Sequence, residues 1–336
     1  MSSEAKKDGK KSAVIRIVIW GVVLVLLLGA LISLMVGGNV FGLDMTIIGC
    51  GTDMWYDDTG YEVGDYEFGD TDLTDELREL DIHWLSGSVT VRGVEGDTLT
   101  IRELDHDGDT PEEADALRWK LQNGKLTIRF CKPRRVVSGS AAQNKTLEVC
   151  IPAAWLGGSL GELEVDSVSA DVDILLSGQT AALRELDIDT VSGRIKVEGD
   201  AQSLSLDTTS GDMTVSGTYG EFSSDTVSGK LTMEGSADEM ELESTSGNMT
   251  VTLYRAARSL EIDTTSGQLT LTLPEDIAGF TSKLSSVSGD IEVEDFPTTG
   301  KNKSRVFGDG SMKIDMDSTS GDVTIKQGKP SDKTAG

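Results

Sequence analysis

The sequence predicts an all-β protein built as a parallel β-solenoid, and three observations support this. A Ser-Gly dipeptide recurs in one frame, with apolar residues four and six positions before the Ser and three and five positions after it. Successive copies from Ser192 to Ser246 are 18 residues apart. Aromatic residues make up only 5% of the chain, which suits a narrow aliphatic core. The framed residues are Ser86, Ser192, Ser210, Ser228, Ser246, Ser266, Ser288 and Ser320, with Ser169-Ala170 as a variant.

The flanks of each Ser-Gly pair alternate between apolar and polar residues, and this two-residue period predicts half-buried strands. Gly after Ser favours a turn with a positive φ angle, where a Cβ would clash. The repeat is too short for a propeller blade of about 40 residues, but it fits one solenoid coil whose strands stack about 4.8 Å apart. We therefore expect a single-stranded parallel β-helix, right-handed because parallel crossovers prefer that hand.

The 336 residues divide into five segments. We expect a basic cytoplasmic tail at residues 1–12, a transmembrane signal anchor at 13–38 and an acidic linker at 39–76. The solenoid follows at 77–326, with irregular N-terminal coils and a cap at 77–160 and regular Ser-Gly repeats at 161–326. A polar tail occupies residues 327–336.

The apolar run at residues 17–36 has the length that a helix needs to cross a bilayer. It is longer than the apolar core of a cleavable signal peptide, and no small-residue cleavage site follows it. Five basic residues precede the run, and the next one after it is Arg78. The positive-inside rule then predicts a single-pass protein of the cell membrane, with a cytoplasmic N-terminus and an extracytoplasmic solenoid.

The three cysteines predict different chemistry. Cys50 ends a sequence similar to a lipobox, but Asp44 and other residues separate it from the apolar run, which disfavours lipidation. Cys131 and Cys150 each end a strand-like segment. In an oxidising compartment they could pair, and two separate buried thiols are the alternative.

The N-terminal part of the solenoid is irregular. Trp84 stands where later copies carry a small hydroxyl residue, which is typical of a terminal coil. Thr110, Pro111 and Glu113 form a capping box, so we expect a short helix that runs through Trp119. This helix would cover the open end of the solenoid and block edge-to-edge aggregation.

Two columns of polar residues accompany the Ser-Gly repeat. The residue two positions before each Ser is a hydroxyl residue that points inward, and we expect these stacked hydroxyls to hydrogen-bond to one another. The residue three positions before each Ser is acidic and points outward. The hydroxyl column is Ser167, Thr190, Thr208, Thr226, Ser244, Thr264, Ser286 and Ser318. The acidic column is Asp166, Asp189, Asp207, Asp225, Glu243 and Asp263, followed after Ser285 by Asp317.

Like charges stacked about 4.8 Å apart repel by roughly 1 kcal/mol per pair even in water, so folding alone does not favour the acidic column. Three interpretations stay open. The column is a solvated face that prevents aggregation, a weak Ca²⁺ site or a contact for a cationic partner. Asp105, Asp107 and Asp109 resemble a calcium loop, but Thr110 replaces the Gly that this loop requires.

Charge and composition narrow the function classes. The net charge of −27 excludes nucleic acid as a partner, since phosphate binding needs clustered Lys and Arg. His83 and His106 are the only histidines, and no nucleophile elbow or phosphate loop is present. The short coils leave no room for the long loops beside which β-helix polysaccharide enzymes build their sites. We expect no enzymatic activity and no cofactor apart from weakly bound Ca²⁺.

A basic loop at residues 296–310 is either solvated or a binding element.

The repeats resemble those of the bacterial putative-adhesin family of unknown function, with its DUF4097-like β-strand repeat. The matching residues are Val191-Ser192-Gly193, Thr209-Ser210-Gly211-Asp212, Val287-Ser288-Gly289-Asp290 and Thr319-Ser320-Gly321-Asp322. The opening strand at residues 147–152, with the sequence LEVCIP, is also similar. This resemblance implies a β-helical fold at the cell envelope, associated in some relatives with envelope stress, and it implies no catalytic residues.

The expected function is therefore that of a membrane-anchored, extracytoplasmic binding or scaffold module. Its partners would be the membrane, through residues 13–38, and an envelope glycan or protein. Two alternatives remain from the sequence alone. One is a polysaccharide-active β-helix enzyme, and the other is an envelope-stress sensor whose basic tail contacts a partner.

Overall fold

A computed structural model describes residues 53–56, 65–131, 134–137, 144–178, 182–301 and 304–328. In these residues the chain is all-β, with a β-solenoid-like fold and no α-helix. The described residues contain no helix of the length and apolarity that a membrane span requires. The anchor expected at residues 13–38 lies outside the described residues.

The strands follow one another along the whole described chain. Up to residue 175 they are β1 (Asp53–Tyr56), β2 (Glu67–Phe68), β3 (Thr71–Leu73), β4 (Glu79–Val94), β5 (Leu99–Leu104), β6 (Arg118–Gln122), β7 (Lys125–Arg129), β8 (Arg134–Val137), β9 (Lys145–Pro152) and β10 (Glu162–Leu175). The next are β11 (Leu183–Thr190), β12 (Ile195–Glu198), β13 (Ala201–Thr208), β14 (Met213–Thr226), β15 (Leu231–Ser244), β16 (Met249–Leu253) and β17 (Ser259–Thr264). The last are β18 (Leu269–Pro274), β19 (Gly279–Ser286), β20 (Ile291–Val293), β21 (Thr299–Lys301), β22 (Ser304–Gly308), β23 (Met312–Ser318) and β24 (Val323–Gly328).

Equivalent strands of neighbouring coils pair in parallel and form two sheets that meet at the Ser-Gly corner. The first sheet contains the strands before the corner, in the order β7, β4, β10, β11, β13, β14, β15, β17, β23 and β19. The second sheet contains the strands after the corner, in the order β9, β4, β10, β12, β14, β15, β16, β18, β24 and β20. Long strands such as β14 contribute one half to each sheet. Separately, β1 and β8 form a two-stranded antiparallel ladder.

The core lies on the inward side of both sheets, where apolar side chains of successive coils stack in register. Leu204 pairs with Leu186 on one side and Phe222 on the other, and all three are buried. Along each strand, polar residues such as Asp207 in β13 alternate with these apolar residues and face outward. Each fully buried aliphatic or aromatic side chain of this kind stabilises the fold by about 1.5–3 kcal/mol. The predicted alternation is confirmed.

The Gly of the corner is required by close approach between coils. Of the framed glycines, only Gly87 has a positive φ angle, at 101°. At Gly211, a Cβ would lie 1.9 Å from the carbonyl oxygen of Gly193 in the preceding coil. The predicted positive φ is therefore wrong for the regular repeats. Glycine is needed there because a backbone carbonyl of the neighbouring coil occupies the space that a Cβ would take.

Side-chain hydrogen bonds fix the other corner residues. Thr208 Oγ1 accepts a hydrogen bond from the Gly211 N–H at 2.9 Å, so the inward hydroxyls cap their own corner rather than bonding to one another as predicted. Ser246 Oγ donates to the Val227 carbonyl of the preceding coil at 3.0 Å. The Ser-Gly pair thus holds neighbouring coils together. Its hydroxyl and N–H groups make structural hydrogen bonds within the solenoid.

At the N-terminal end, antiparallel strands extend the two sheets. β7 pairs with β6, which pairs with β2, and β9 pairs with β5, which pairs with β3. β2 and β3 lie within the segment expected to be a linker. Trp84 is 2% exposed and packs edge-on against Phe130, with ring centroids 5.0 Å apart. Because β7 and β9 cover β4, Trp84 lies in an inner coil and not in the terminal one.

The helix predicted from Thr110 through Trp119 is wrong. A single turn forms there, with the Ala116 N–H donating to the Glu112 carbonyl at 2.9 Å, and β6 begins at Arg118. The Leu117 N–H donates instead to the Glu103 carboxylate. In a continued helix, the Leu117 N–H would donate to a carbonyl of the preceding turn. The tertiary hydrogen bond to Glu103 replaces that helical bond.

The last coil in the sequence is not the last coil in space. β23 lies between β17 and β19 in the first sheet, and β24 lies between β18 and β20 in the second. The chain therefore builds the outer coil first, turns back through the β21–β22 hairpin, and fills the gap that it left. The sequence predicted only an insertion at this point.

The cysteines that the structure describes are not joined to each other. Cys131 is buried and Cys150, in β9, is half-buried. The structure thus corresponds to the alternative of two separate thiols. Cys50 lies outside the described residues.

Candidate functional site

The acidic column runs without a break across the outward side of the first sheet. Asp189 lies beside Asp166 on one side and Asp207 on the other. Farther along, Asp263 lies beside Asp317, and Ser285 follows at the end of the column. Because neighbouring strands are about 4.8 Å apart, the carboxylates stand in a single file. In spatial order the column is Asp166, Asp189, Asp207, Asp225, Glu243, Asp263 and Asp317.

Two further columns on the same side, five and seven positions before each Ser, are rich in carboxylates but also contain serines and lysines. These were not recognised from the sequence, although they share the outward parity of the acidic column. We call the three columns together the acidic face. Its added members are Glu162, Glu164, Glu185, Asp187, Glu221, Glu239, Glu241, Glu261 and Asp315.

Four neighbouring carboxylates of the acidic face hold protons more tightly than isolated ones. Partial burial, together with the charges of Asp207 and Asp166, raises the pKa of Asp189 from 3.8 to about 6. Partial burial and neighbouring carboxylates likewise raise the pKa of Asp187, Asp207 and Asp225. The acidic face thus carries a repulsion that protons or other cations would relieve.

We expect the folded protein to be more stable at pH 5 than at pH 7.5. A carboxyl whose pKa is raised on folding, such as Asp189, penalises the folded state once it ionises, so stability falls as pH rises from about 4 to 6. Melting temperatures recorded from about pH 4 to pH 7.5 measure this change in stability. Asp189→Asn should flatten the pH dependence, and the matched change Asp173→Asn on the second sheet should leave it unchanged. A melting temperature that rises from pH 5 to pH 7.5 would contradict this account.

His83 closes the N-terminal end of the acidic column. Its Nδ1 lies 3.1 Å from Asp166 Oδ2, and its Nε2 contacts Asp81. Burial opposes the charge on the ring, but hydrogen bonds to Asp166 and Asp81 outweigh it and raise the pKa of His83 to about 9. Lys125 Nζ lies 3.2 Å from Asp81 Oδ2. His83 is therefore a cation that neutralises this end of the face, a role that the sequence did not predict.

A groove of about 830 Å³ crosses the acidic face toward its C-terminal end. Five carboxylates and two lysines contribute to its lining, with Lys283 Nζ 3.4 Å from Asp315 Oδ2. Serine hydroxyls, including Ser223 and Ser259, lie between the charges. The groove therefore offers hydrogen-bond acceptors to a cationic ligand. The carboxylates are Glu221, Glu239, Glu241, Glu261 and Asp315, and the lysines are Lys283 and Lys313.

Two further sequence candidates are the Asp105 cluster and the basic loop, and the loop borders the groove through Gly310. Ligand atoms of Asp105, His106 and Asp107 fall within 4.8 Å of one another. Asp105 Oδ1, however, accepts backbone hydrogen bonds from Asp107 and Asp109, as in an ordinary capped turn. The basic loop forms the β21–β22 hairpin, in which Arg305 pairs with Ser282 of β19. His106 lies 3.3 Å from Asp107.

A family model described as Toastrack DUF4097 matches residues 77–326. No curated protein matches the chain. Among solved structures, a putative adhesin from Bacteroides fragilis is 16% identical, with a TM-score of 0.44, over 78% of this chain and 97% of that one. A putative lipid binding protein from Parabacteroides distasonis is 13% identical, with a TM-score of 0.42, over 80% and 98%. A putative adhesin from the same organism is 14% identical, with a TM-score of 0.40, over 79% and 98%.

Proposed function

Since the chain belongs to the Toastrack DUF4097 family, we propose that its solenoid is a non-enzymatic binding module displayed outside the cell membrane. The acidic face is the binding surface, and the unbroken acidic column is the observation that carries the proposal. The corner hydrogen bonds account for the Ser-Gly repeat, whereas the stacked carboxylates of this column repel one another. A cationic partner would relieve this repulsion, which supports the acidic face as the binding surface.

The chemistry of the partner follows from the charge of the face. A protein or glycan that carries amines or guanidinium groups would lower the repulsion between neighbouring carboxylates on binding. Long-range attraction would also speed its association at low ionic strength. The groove supplies a recess in which such groups are partly shielded from water, which strengthens each ion pair.

The location rests on the sequence outside the described residues. The apolar run at residues 17–36, with basic residues before it, supports a membrane anchor that leaves the solenoid extracytoplasmic. Protease treatment of intact cells or spheroplasts should remove the solenoid and leave the N-terminal tail protected. Complete protection of the solenoid, in cells where a periplasmic control is cleaved, would overturn the topology.

A second candidate function is weak Ca²⁺ binding along the acidic column, which the raised pKa of Asp189 and its neighbours favours. Carboxylates in flexible geometry bind Ca²⁺ with dissociation constants of roughly 10⁻⁴–10⁻³ M in extracellular modules. We expect calorimetry to detect binding in this range, and the triple change Asp207→Asn, Asp225→Asn and Asp263→Asn to abolish it.

The matched control carries the same change of charge on the second sheet, as Asp173→Asn, Glu234→Gln and Glu292→Gln. Ca²⁺ binding that survives in the acidic-column variant, or that both variants lose equally, would exclude the column as a specific site.

We further propose that the coils wind as a right-handed, single-stranded parallel β-helix. The parallel registers between equivalent strands support this arrangement, as in the pairing of β13 with β14. The preference of parallel crossovers for the right hand supports the handedness.

A further inference from the structure

Lys145 and Glu103 form a buried ion pair at the N-terminal end of the solenoid. The Nζ of Lys145 lies 2.8 Å from Glu103 Oε2, and the two side chains are 1% and 0% exposed. Lys and Glu are almost never fully buried, so a pair with both members inside is unusual. It takes no part in the proposed binding function.

The surroundings hold both groups in place. The ring centroids of Phe130 and Trp84 lie 4.2 Å and 4.9 Å from Lys145 Nζ. Nζ also donates to the backbone carbonyls of Asp115, at 2.9 Å, and Phe130. The Leu117 N–H donates to Glu103 Oε1, so that both carboxylate oxygens are bound.

The backbone of Lys145 is fixed as well. Trp84 Nε1 donates to the Lys145 carbonyl oxygen at 3.3 Å. Gly87 approaches the same carbonyl so closely that a Cβ there would lie 2.1 Å from it. The amine and the carboxyl are therefore presented to each other by a rigid frame, with Nζ in hydrogen-bond contact with the carboxyl group.

Burial disfavours two separate charges, in opposition to the acceptors and aromatic faces that stabilise the ammonium. Burial raises the pKa of Glu103 despite the opposing charge and hydrogen bond of Lys145. Removing a carboxylate and an ammonium from water costs several kcal/mol for each ion, and transfer of the proton from Lys145 to Glu103 yields a neutral amine and a neutral acid. The neutral amine and the neutral acid are the reactive forms for condensation. Because the fold holds the two groups in contact, the reaction does not depend on a chance encounter between them.

We propose that Lys145 and Glu103 condense into an intramolecular amide bond. The lone pair of neutral Nζ attacks Cδ of the protonated carboxyl, and the C–N bond forms as the C–OH bond breaks. One Nζ proton leaves with the hydroxyl group as water, and no oxidant or reductant is needed. The amide N–H that remains donates to a backbone carbonyl, and the amide oxygen keeps the Leu117 N–H.

The bond would lock the antiparallel pair of β5 and β9, in which Glu103 lies opposite Leu147. It closes the chain between residues 103 and 145, the segment that contains β6 and β7. A covalent closure of this kind restricts the unfolded chain, as a disulfide does, and so stabilises the terminal coil against fraying.

Intact mass spectrometry of the full chain, purified in detergent and denatured, tests the proposal directly. We expect the mass to fall below the sequence mass by one water molecule. The variant Lys145→Met with Glu103→Leu, which replaces the pair by apolar side chains of similar volume, should show its full sequence mass. Since the covalent state is read after denaturation, a loss of stability in the variant does not affect the result.

Tryptic digestion locates the bond. A linked chain yields one branched peptide that joins residues 103–118 to residues 136–184, because trypsin no longer cleaves after Lys145. The full sequence mass, with separate peptides 103–118 and 136–145, would overturn the proposal and leave an ordinary ion pair. A branch mapped to any carboxyl other than that of Glu103 would overturn the assignment of the partner.

Discussion

Replacing Gly211 by Val is expected to destabilise the solenoid by at least about 3 kcal/mol, because its Cβ would lie 1.9 Å from the carbonyl oxygen of Gly193. Neither partner can move away alone, since each glycine of the corner also contacts the next coil. The added side chain would separate two coils and break the ladder hydrogen bonds between them. Urea and thermal denaturation followed by circular dichroism measure the loss.

Ser210→Ala provides the matched control one residue away. It removes only the long hydrogen bond of 3.4 Å from Ser210 Oγ to the Val191 carbonyl, a loss of about 1 kcal/mol or less. If Gly211→Val melts like the wild type, the close approach of coils at the corner is refuted. If the two variants lose equal stability, the corner hydroxyl matters as much as the glycine, which also contradicts this account.

Deleting residues 311–336 is expected to have the second large effect. The deletion removes β23 and β24, and with them five buried side chains that each contribute about 1.5–3 kcal/mol. They are Met312, Ile314, Met316, Val323 and Ile325. Because this coil separates β17 and β18 from β19 and β20, its loss should leave the outer coil without a neighbour.

Hydrogen exchange distinguishes this arrangement from a simple stack. We expect amide protection to fall in β19 and β20 as well as in β17 and β18. Deletion of residues 329–336 alone is the control and should leave the protection of all four strands unchanged. If the longer deletion leaves β19 and β20 protected as in the wild type, the inner position of the last coil is wrong.

The regular half of the fold could be predicted from the sequence because a single repeat fixes its register. The 18-residue spacing from Ser192 to Ser246 places Asp207 beside Asp225, and the structure has the same pairing. The spacing does not say why Gly follows Ser. A positive φ and a close approach both disfavour a Cβ, and the structure shows that close approach is the cause in the regular repeats.

The two ends of the solenoid could not be predicted because contacts distant in sequence determine them. Nothing in the spacing between Ser288 and Ser320 indicates that β23 returns to a position beside β17. The Thr110 capping box has good local helix chemistry, but Glu103 takes the Leu117 N–H. The buried hydrogen bond to Glu103 outweighs a local helix propensity of a few tenths of a kcal/mol per residue.

The ion pair of Lys145 and Glu103 could have been found. Leu99, Ile101 and Glu103 alternate along β5 on the inward side, and Lys145 begins the same kind of alternation in β9. A charged residue at an inward position of a strand is a reliable sign of a buried partner. Two inward positions of opposite charge, such as Glu103 and Lys145, therefore predict a buried ion pair.

The acidic face shows what a repeat contributes to function. Its central column was visible in the sequence because the repeat aligns it, whereas the two flanking columns needed the structure to set Glu164 and Asp187 on the same side. The hydrogen bonds and glycine contacts of the Ser-Gly corner explain the fold without the carboxylates of the acidic face. The proposed function therefore depends on the face rather than on the Ser-Gly repeat that reveals it.

The most direct test of that claim is capture from the native envelope by the purified solenoid and two variants of equal charge. One variant changes the face, as Asp225→Asn, Glu241→Gln and Glu261→Gln, and the other changes the second sheet, as Asp173→Asn, Glu234→Gln and Glu292→Gln. We predict that wild type and the second-sheet variant retain the same bound component at moderate salt, and that the face variant retains at least about tenfold less. Equal retention by all three proteins would contradict the acidic face as the binding surface.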